Sequence, residues 1–177
     1  MNNAGFIDPH DLHQAKAQGI ADVIEVNCVA PVTFTSLMLN KLKIRKSKSA
    51  IINMSSVCGG APVKTTPLYS PTKALIRYFS LAMSLELEDK VDILVVCPGS
   101  VQTNFTLNRN RFDTCTPTQT VANALKCLGL EYKTSGWWFH EFWDEAGIFL
   151  WGINHEHVYA PSFDYSETIF GYKDYKK

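Results

Sequence analysis

Tyr69 and Lys73 stand four residues apart in the stretch Tyr69-Ser70-Pro71-Thr72-Lys73. On a helix that spacing is one turn, so a phenol and an ammonium share a face. Free tyrosine titrates near about 10, and proton exchange near neutrality requires a loss of about three units, or ~4 kcal/mol. A cation at about 4 Å in a medium of effective dielectric about 20 supplies ~4 kcal/mol. One lysine can therefore make the phenol acidic, provided water is excluded. The pair alone says little: a second Tyr-x3-Lys, Tyr172 to Lys176, lies near the C-terminus, and most such pairs are solvated helix faces. Context separates the two copies. Ser56 stands thirteen residues before Tyr69, at the end of the apolar run Ala50-Ile51-Ile52-Asn53-Met54. Tyr159, thirteen before Tyr172, has no such setting.

The elements that must hold these groups follow from periodicity. Residues 70–89 read as a helix, with Leu75, Phe79, Ala82, Met83 and Leu87 at roughly the helical period and Pro71 in the first turn, where its missing N–H has no partner to lose. Residues 21–45 read as a long helix ending in the basic stretch 41–48, which suits a helix C-terminus and reads as a solvated end. Pro31 falls inside it. In an α-helix the N–H of residue 31 would bond the carbonyl of Asn27, and proline frees that carbonyl. A freed carbonyl recruits water or a side chain, so Asn27 is a candidate water holder; a plain proline kink is the alternative.

Runs 50–54 and 91–97 read as buried strands, and 136–140 as a possible third. Residues 55–68 and 100–116 read as loops, and 117–131 as a helix capped by Thr116 with Pro117 at its first position. Alternating strands and helices predict a parallel, wound α/β sheet. The expected organisation is one domain over residues 1–152 and an aromatic, polar tail over 153–177.

Composition narrows the function classes. The chain has 177 residues, 46% apolar and 19% charged, as in an ordinary globular domain. Zero net charge gives no reason to expect nucleic acid or an anionic membrane as partner. No uncharged apolar run reaches 18 residues, so no membrane span is expected. Five cysteines, odd in number and without C-x-x-C spacing, suggest a reducing intracellular compartment; Cys28, Cys97 and Cys127 read as small core residues. His10/His13 and His155/His157 have metal-like spacing but no joining Cys or carboxylate, and no metal site is expected. The Asn53 and Asn104 glycosylation patterns read as chance matches.

Asn2-Asn3-Ala4-Gly5, Asn27 in Val-Asn-Cys-Val-Ala-Pro, Ser56 in Met-Ser-Ser-Val, Tyr69-x3-Lys73 and Pro98-Gly99-Ser100-Val101-Gln102-Thr103 occur in an order and spacing that resembles the short-chain dehydrogenase/reductase family over residues 1–105. Residues 117–130 followed by Thr134-Ser135-Gly136-Trp137 resemble its 17β-hydroxysteroid dehydrogenase and very-long-chain 3-oxoacyl-CoA reductase branch. The resemblance implies a Rossmann-like sheet and NAD(P)-dependent interconversion of a carbonyl and an alcohol on a steroid or fatty-acyl substrate. It implies Tyr69 as general acid or base, Lys73 lowering the tyrosine pKa and holding the nicotinamide ribose, Ser56 holding the substrate oxygen, and Asn27 holding a water that links Lys73 to solvent. Asn3 would lie near the adenosine side of the cofactor, with Ala4 and Gly5 beside it, and Pro98, Gly99, Val101 and Thr103 would line the nicotinamide. NADP is slightly favoured over NAD by the branch. The loop 100–116 and Trp137-Trp138 would shape a pocket for a greasy ligand.

The family's Gly-rich cofactor turn lies upstream of Asn2-Asn3-Ala4-Gly5, and no G-x-G-x-x-G occurs in this sequence. The chain thus reads as the catalytic half of the fold, an incomplete Rossmann-like sheet with an open edge. The resemblance further implies a cytoplasmic or endoplasmic-reticulum-associated protein and a homo- or heterodimer through helices 21–45 and 70–89. A shortened, non-catalytic dimerisation partner, or a fragment of a longer enzyme, is the alternative.

Overall fold

The computed structural model describes residues 1–8, 12–63, 66–87, 90–108 and 110–153. Residues 9–11, which include His10, and the tail from 154 onward, with His155, His157 and the second Tyr-x3-Lys, lie outside them.

Two β-branched runs form the centre. β1 (Ser49–Met54) and β2 (Val91–Val96) pair in parallel, Ser49 opposite Val91 through Met54 opposite Val96. α3 (Tyr69–Leu87) is the crossover between them, giving a βαβ unit. Val91, Leu94, Val95 and Val96 are at most 1% exposed, as expected of a strand covered on both faces. β5 (Lys133–Thr134) extends the sheet beyond β2, giving the parallel order β1-β2-β5. On the other side, the N-terminal segment pairs with the β1 edge: the Asn2 N–H donates to the Ile52 carbonyl at 2.8 Å and the Met54 N–H to the Asn2 carbonyl at 2.9 Å. The fold is the α/β, Rossmann-like arrangement expected.

The helix expected over 21–45 runs as α1 (Ala17–Ile24), a π-helical turn (Glu25–Val29) and α2 (Ala30–Lys43). In the π turn the Ala30 N–H reaches back five residues to the Glu25 carbonyl. The wider turn sits just before Pro31, whose ring would crowd the carbonyl of residue 27 in a regular helix. The whole of Ala17–Lys43 is long and apolar enough to cross a membrane by length and composition. Val23, Asn27, Cys28, Pro31 and Thr35 form a buried stripe against the protein, while Ile24, Val29, Phe34, Leu37 and Met38 are exposed.

α3 departs from its apolar pattern. Its buried face is Tyr69, Ser70, Thr72, Lys73, Ile76, Arg77, Ser80, Ser84 and Leu87. Leu75, Tyr78 and Leu85 are 45%, 71% and 74% exposed. Hydroxyl side chains can enter because each finds an acceptor: Ser80 and Ser84 donate to the Ile76 and Leu81 carbonyls at 2.7 Å, and Ser70 donates to the Cys58 carbonyl.

The strand expected at 136–140 is a correction. Gly136 takes φ +71°, which ends β5, and α5 (Trp138–Ile153) begins two residues later. The Glu141 carboxylate takes the Ser135 N–H at 2.6 Å, satisfying a donor at the helix start. α4 (Pro117–Cys127) has the expected cap, a reciprocal pair of Thr116 and Gln119, but ends before residue 131. The loop 100–116 is partly ordered: β3 (Ser100–Val101) pairs with β4 (Thr114–Cys115), and a 3-10 turn covers Asn104–Thr106. Cys28 and Cys97 are buried as expected, Cys127 is half-buried, and all five cysteines are free.

Candidate active site

Three segments converge on Tyr69. α3 carries Tyr69 and Lys73, one turn apart and 6% and 4% exposed. The turn after β1 carries Ser56 as the cap of the 3-10 helix Val57–Gly59. The turn after β2 carries Pro98, whose carbonyl accepts the Val57 N–H at 3.1 Å. Gly59 allows the Ser56 turn to sit flush on α3: a Cβ there would lie 2.7 Å from the backbone carbonyl of Lys73. The Ser55 hydroxyl donates to that same carbonyl at 2.6 Å.

As a result the Ser56 hydroxyl and the Tyr69 phenol face the same cavity, with Ser56 Oγ donating to the Pro98 carbonyl at 3.4 Å. Ser56 Oγ also accepts the Cys58 N–H at 3.2 Å. Lys73 Nζ lies 5.5 Å from the centre of the Tyr69 ring and donates to the Met54 carbonyl at 3.1 Å.

The electrostatics overturn one expectation. Burial pushes the Tyr69 phenol well above its ordinary range, and the Ser56 hydroxyl offsets little of that. The same burial draws Lys73 down to about 8. The lysine was expected to bring the phenol toward neutrality. Here desolvation of both groups outweighs their attraction, because the ammonium is aimed at Met54. Tyr69 is therefore held in its protonated form.

Asn27 stands behind this group. Its Oδ1 accepts the Phe6 N–H at 2.8 Å, and its Nδ2 donates to the Phe6 carbonyl at 2.8 Å and to Thr72 Oγ1 at 3.0 Å. The side chain thus ties the N-terminal segment to α3.

A cavity of about 430 Å³ opens in front of Ser56, Tyr69 and Lys73. Asn3, Ala4, Gly5, Pro98, Gly99, Val101 and Thr103 all line it; Asn27 does not. Lys73 has three N–H donors and gives one to Met54, and the side chain lines the cavity. That arrangement fits the nicotinamide riboside end of a dinucleotide. Some walls were not foreseen. Thr120, Val121, Ala124 and Leu125 of α4 face Ile52, Met54 and Val96 of the sheet across the cavity. Helical period could have flagged these α4 positions, but not what they face. Phe105 and Thr106 join from the loop expected to shape the pocket, with the Phe105 ring centre 6.2 Å from that of Tyr69. Trp137 and Trp138 are not among the lining residues, because they lie at the turn into α5 and Trp138 is 72% exposed.

The comparisons agree with this geometry. The family model described as short chain dehydrogenase matches residues 1–114. The very-long-chain 3-oxoacyl-CoA reductases of Bos taurus and Homo sapiens are 33% and 31% identical over 150 residues, which is 79% of this chain and 46% of each relative. The chain thus spans about half the length of the curated relatives it matches. A short-chain dehydrogenase from Sphingobium yanoikuyae in complex with NADPH shares the fold with a TM-score of 0.69 at 24% identity, over 92% of this chain and 66% of that one. The bulky-bulky ketone specific alcohol dehydrogenase from Comamonas testosteroni does so with a TM-score of 0.67 at 23% identity, over 96% of this chain and 66% of that one. On the match over residues 1–114 and the reductases more than 30% identical, the chain belongs to the short-chain dehydrogenase family.

Proposed function

We propose that the protein acts in NAD(P)-dependent interconversion of a carbonyl and an alcohol, on a fatty-acyl or steroid substrate. The observation that carries this reading is the convergence of Ser56, Tyr69 and Lys73, from two separate segments, on the wall of one cavity. A substrate carbonyl oxygen placed between the two hydroxyls would accept a hydrogen bond from each. When bound, the nicotinamide supplies or accepts the hydride. Tyr69, held protonated by burial, gives its proton to the substrate oxygen as negative charge develops there. Ser56 holds that oxygen in place. Lys73 would help hold the cofactor's ribose with its remaining donors, and its positive charge would steady the phenolate that Tyr69 becomes. Asn3, Ala4 and Gly5 wall one end of the cavity, and Pro98, Gly99, Val101 and Thr103 wall the nicotinamide side.

Two lines favour a lipid-like substrate. The far wall is apolar, built of Ile52, Met54, Val96, Val121, Ala124 and Leu125. The relatives more than 30% identical are named for very-long-chain 3-oxoacyl-CoA reduction. NADPH is the first cofactor to try. A reducing compartment suits the five free thiols.

The test is NADPH binding followed by fluorescence, and NADPH consumption with a long-chain 3-oxoacyl-CoA, in wild type and Tyr69→Phe. Binding by both, with turnover reduced on the order of 10²–10⁴-fold in Tyr69→Phe, supports the reading. Absence of binding at millimolar NADPH overturns it for this chain.

A second reading rests on a separate observation. α2 exposes Phe34, Leu37 and Met38, and α3 exposes Leu75, Tyr78 and Leu85. Such apolar faces suit a dimer through these two helices, with a second copy or a longer relative. A partner role without catalysis predicts co-purification with such a relative and indifference to Tyr69→Phe.

A further inference from the structure

We propose that His140 is a positioning residue for the reaction assigned above: it sets the distance between the Pro98-Gly99 wall and the loop that carries Phe105, and so fixes the width of the cofactor side of the cavity. This rests on the proposed function, since it assigns a role within that site.

His140 belongs to α5 and is 4% exposed, remote in sequence from Ser56, Tyr69 and Lys73. It meets two walls of the cavity from behind. The first is Gly99, which lines the cavity. A Cβ on Gly99 would stand 2.7 Å from His140 Cδ2 and 2.9 Å from Nε2, so the imidazole lies flat on the glycine backbone with no space between. The second is the loop after β3. His140 Nε2 lies 3.1 Å from the Asp113 carbonyl, immediately before β4. A carbonyl oxygen can only accept, so Nε2 carries the hydrogen. Nδ1 then faces Cys115 Sγ at 3.8 Å, a contact that suits the neutral ring. Trp137 braces the ring edge-on, with centres 4.8 Å apart.

The ring thus works as a spacer with one directional bond. Its thickness holds Gly99 forward, and its Nε2–H holds the Asp113–Cys115 end of the loop whose other part supplies Phe105 and Thr106. A smaller side chain lets the Gly99 turn fall back toward α5. The nicotinamide side widens, and its reacting face is no longer held against Ser56 and Tyr69. Misplacement of this kind lowers rates steeply while leaving the acid and its proton intact.

The experiment compares wild type, His140→Ala, His140→Gln, Gly99→Ala and the double variant Gly99→Ala/His140→Ala. NADPH binding is followed by fluorescence, kcat and KM with a 3-oxoacyl-CoA, and folding by far-ultraviolet circular dichroism. His140→Ala is expected to weaken NADPH binding on the order of tenfold or more while the helical signal persists. His140→Gln, which keeps a donor near the Nε2 position, is expected to recover most of the binding. Gly99→Ala alone is expected to fail, because its methyl meets the ring. The double variant is expected to bind better than Gly99→Ala, since the ring is gone and the methyl fills part of its space. Equal binding by wild type and His140→Ala overturns this assignment and leaves the proposed function standing. So does additivity of Gly99→Ala and His140→Ala. A His140→Ala protein that loses its helical signal is decided by the other pair: His140→Gln binding no better than Gly99→Ala overturns the assignment. Wild type that binds no NADPH overturns the proposed function and this assignment together.

Discussion

One turn apart on the buried face of α3 sit two cations with opposite fates. Arg77 is paired: its Nη1 meets Asp144 Oδ1 at 2.7 Å. The other Asp144 oxygen takes Lys133 Nζ at 2.9 Å, and Lys133 also meets Glu141 at 2.6 Å and Glu145 at 2.7 Å. This cluster joins α3, β5 and α5. The three carboxylates come together around an ammonium, which takes the place a metal ion would need. Lys133 is accordingly raised from 10.5; its partners outweigh its burial. Lys73 is more deeply buried, at 4% exposed, and no carboxylate among the described residues pairs with it, so burial draws it down to about 8. The first region spends its charges on joining elements. The second leaves an ammonium short of partners at the wall of a cavity, and that shortage is what a ligand can relieve.

The largest expected effect breaks the paired side. Asp144→Asn keeps the volume of a side chain that is fully buried, but removes the charge between Arg77 and Lys133. Arg77 is then buried with no counter-charge, and breaking such a pair costs about 3–5 kcal/mol. Urea denaturation should show the midpoint fall with an unchanged slope. A loss under ~1 kcal/mol would mean that the cluster is solvated in solution and the contrast with Lys73 is unfounded.

Lys73→Met should move stability the other way. Holding an ammonium whose pKa is drawn from 10.5 to about 8 costs the folded state ~3 kcal/mol at neutral pH. Methionine fills similar space without that cost and forgoes the hydrogen bond to Met54, so the variant should be as stable as wild type or more so, while reductase turnover is lost. The difference should depend on pH with a definite sign. Below about 8 both states of the wild type hold the proton and the cost is complete. Between 8 and 10 the unfolded chain still holds it and the folded chain releases it, so the unfolded state binds more protons and wild-type stability rises with pH. Wild type should therefore gain on Lys73→Met over that window. A parallel pair of stability curves would show Lys73 already neutral or solvated.

The sequence carried one region far better than the other. Tyr69, Lys73 and Ser56 were legible because a fixed reaction geometry demands fixed residue types at fixed spacings, and the β-branched runs around 50–54 and 91–97 could hardly be anything but buried strands. The charge cluster was not legible. Arg77 lies 67 residues from Asp144, and Lys133 eleven, and charged side chains read singly as surface. The same habit misread α3: its buried face sets Ser70, Thr72, Lys73, Arg77, Ser80 and Ser84 beside Ile76 and Leu87, while Leu75, Tyr78 and Leu85 point outward. Periodicity finds a helix but cannot tell a core face from a partner face. The 136–140 strand failed for a local reason. Aromatic residues fit a strand and a helix alike, and the positive φ of Gly136 decided the matter.

The smallest expected effect tests how the unpaired region is held. Asn27 makes three side-chain hydrogen bonds, two to the Phe6 backbone and one to Thr72 Oγ1. Phe6 is 39% exposed, so water can replace part of what is lost. Asn27→Ala should then cost only ~1–2 kcal/mol. Its effect should be local: faster amide exchange at Phe6, with Asn2 less affected because its backbone bonds to Ile52 and Met54 remain. Gly5 packs near both Lys73 Nζ and Asn27 Oδ1, so loosening Phe6 also loosens the wall beside the ammonium. NADPH binding should weaken by more than the modest stability loss suggests, because the segment that walls the cavity is the one set free. If exchange quickens across the whole sheet instead, Asn27 is part of the core that joins elements, and it belongs with Asp144 rather than with Lys73.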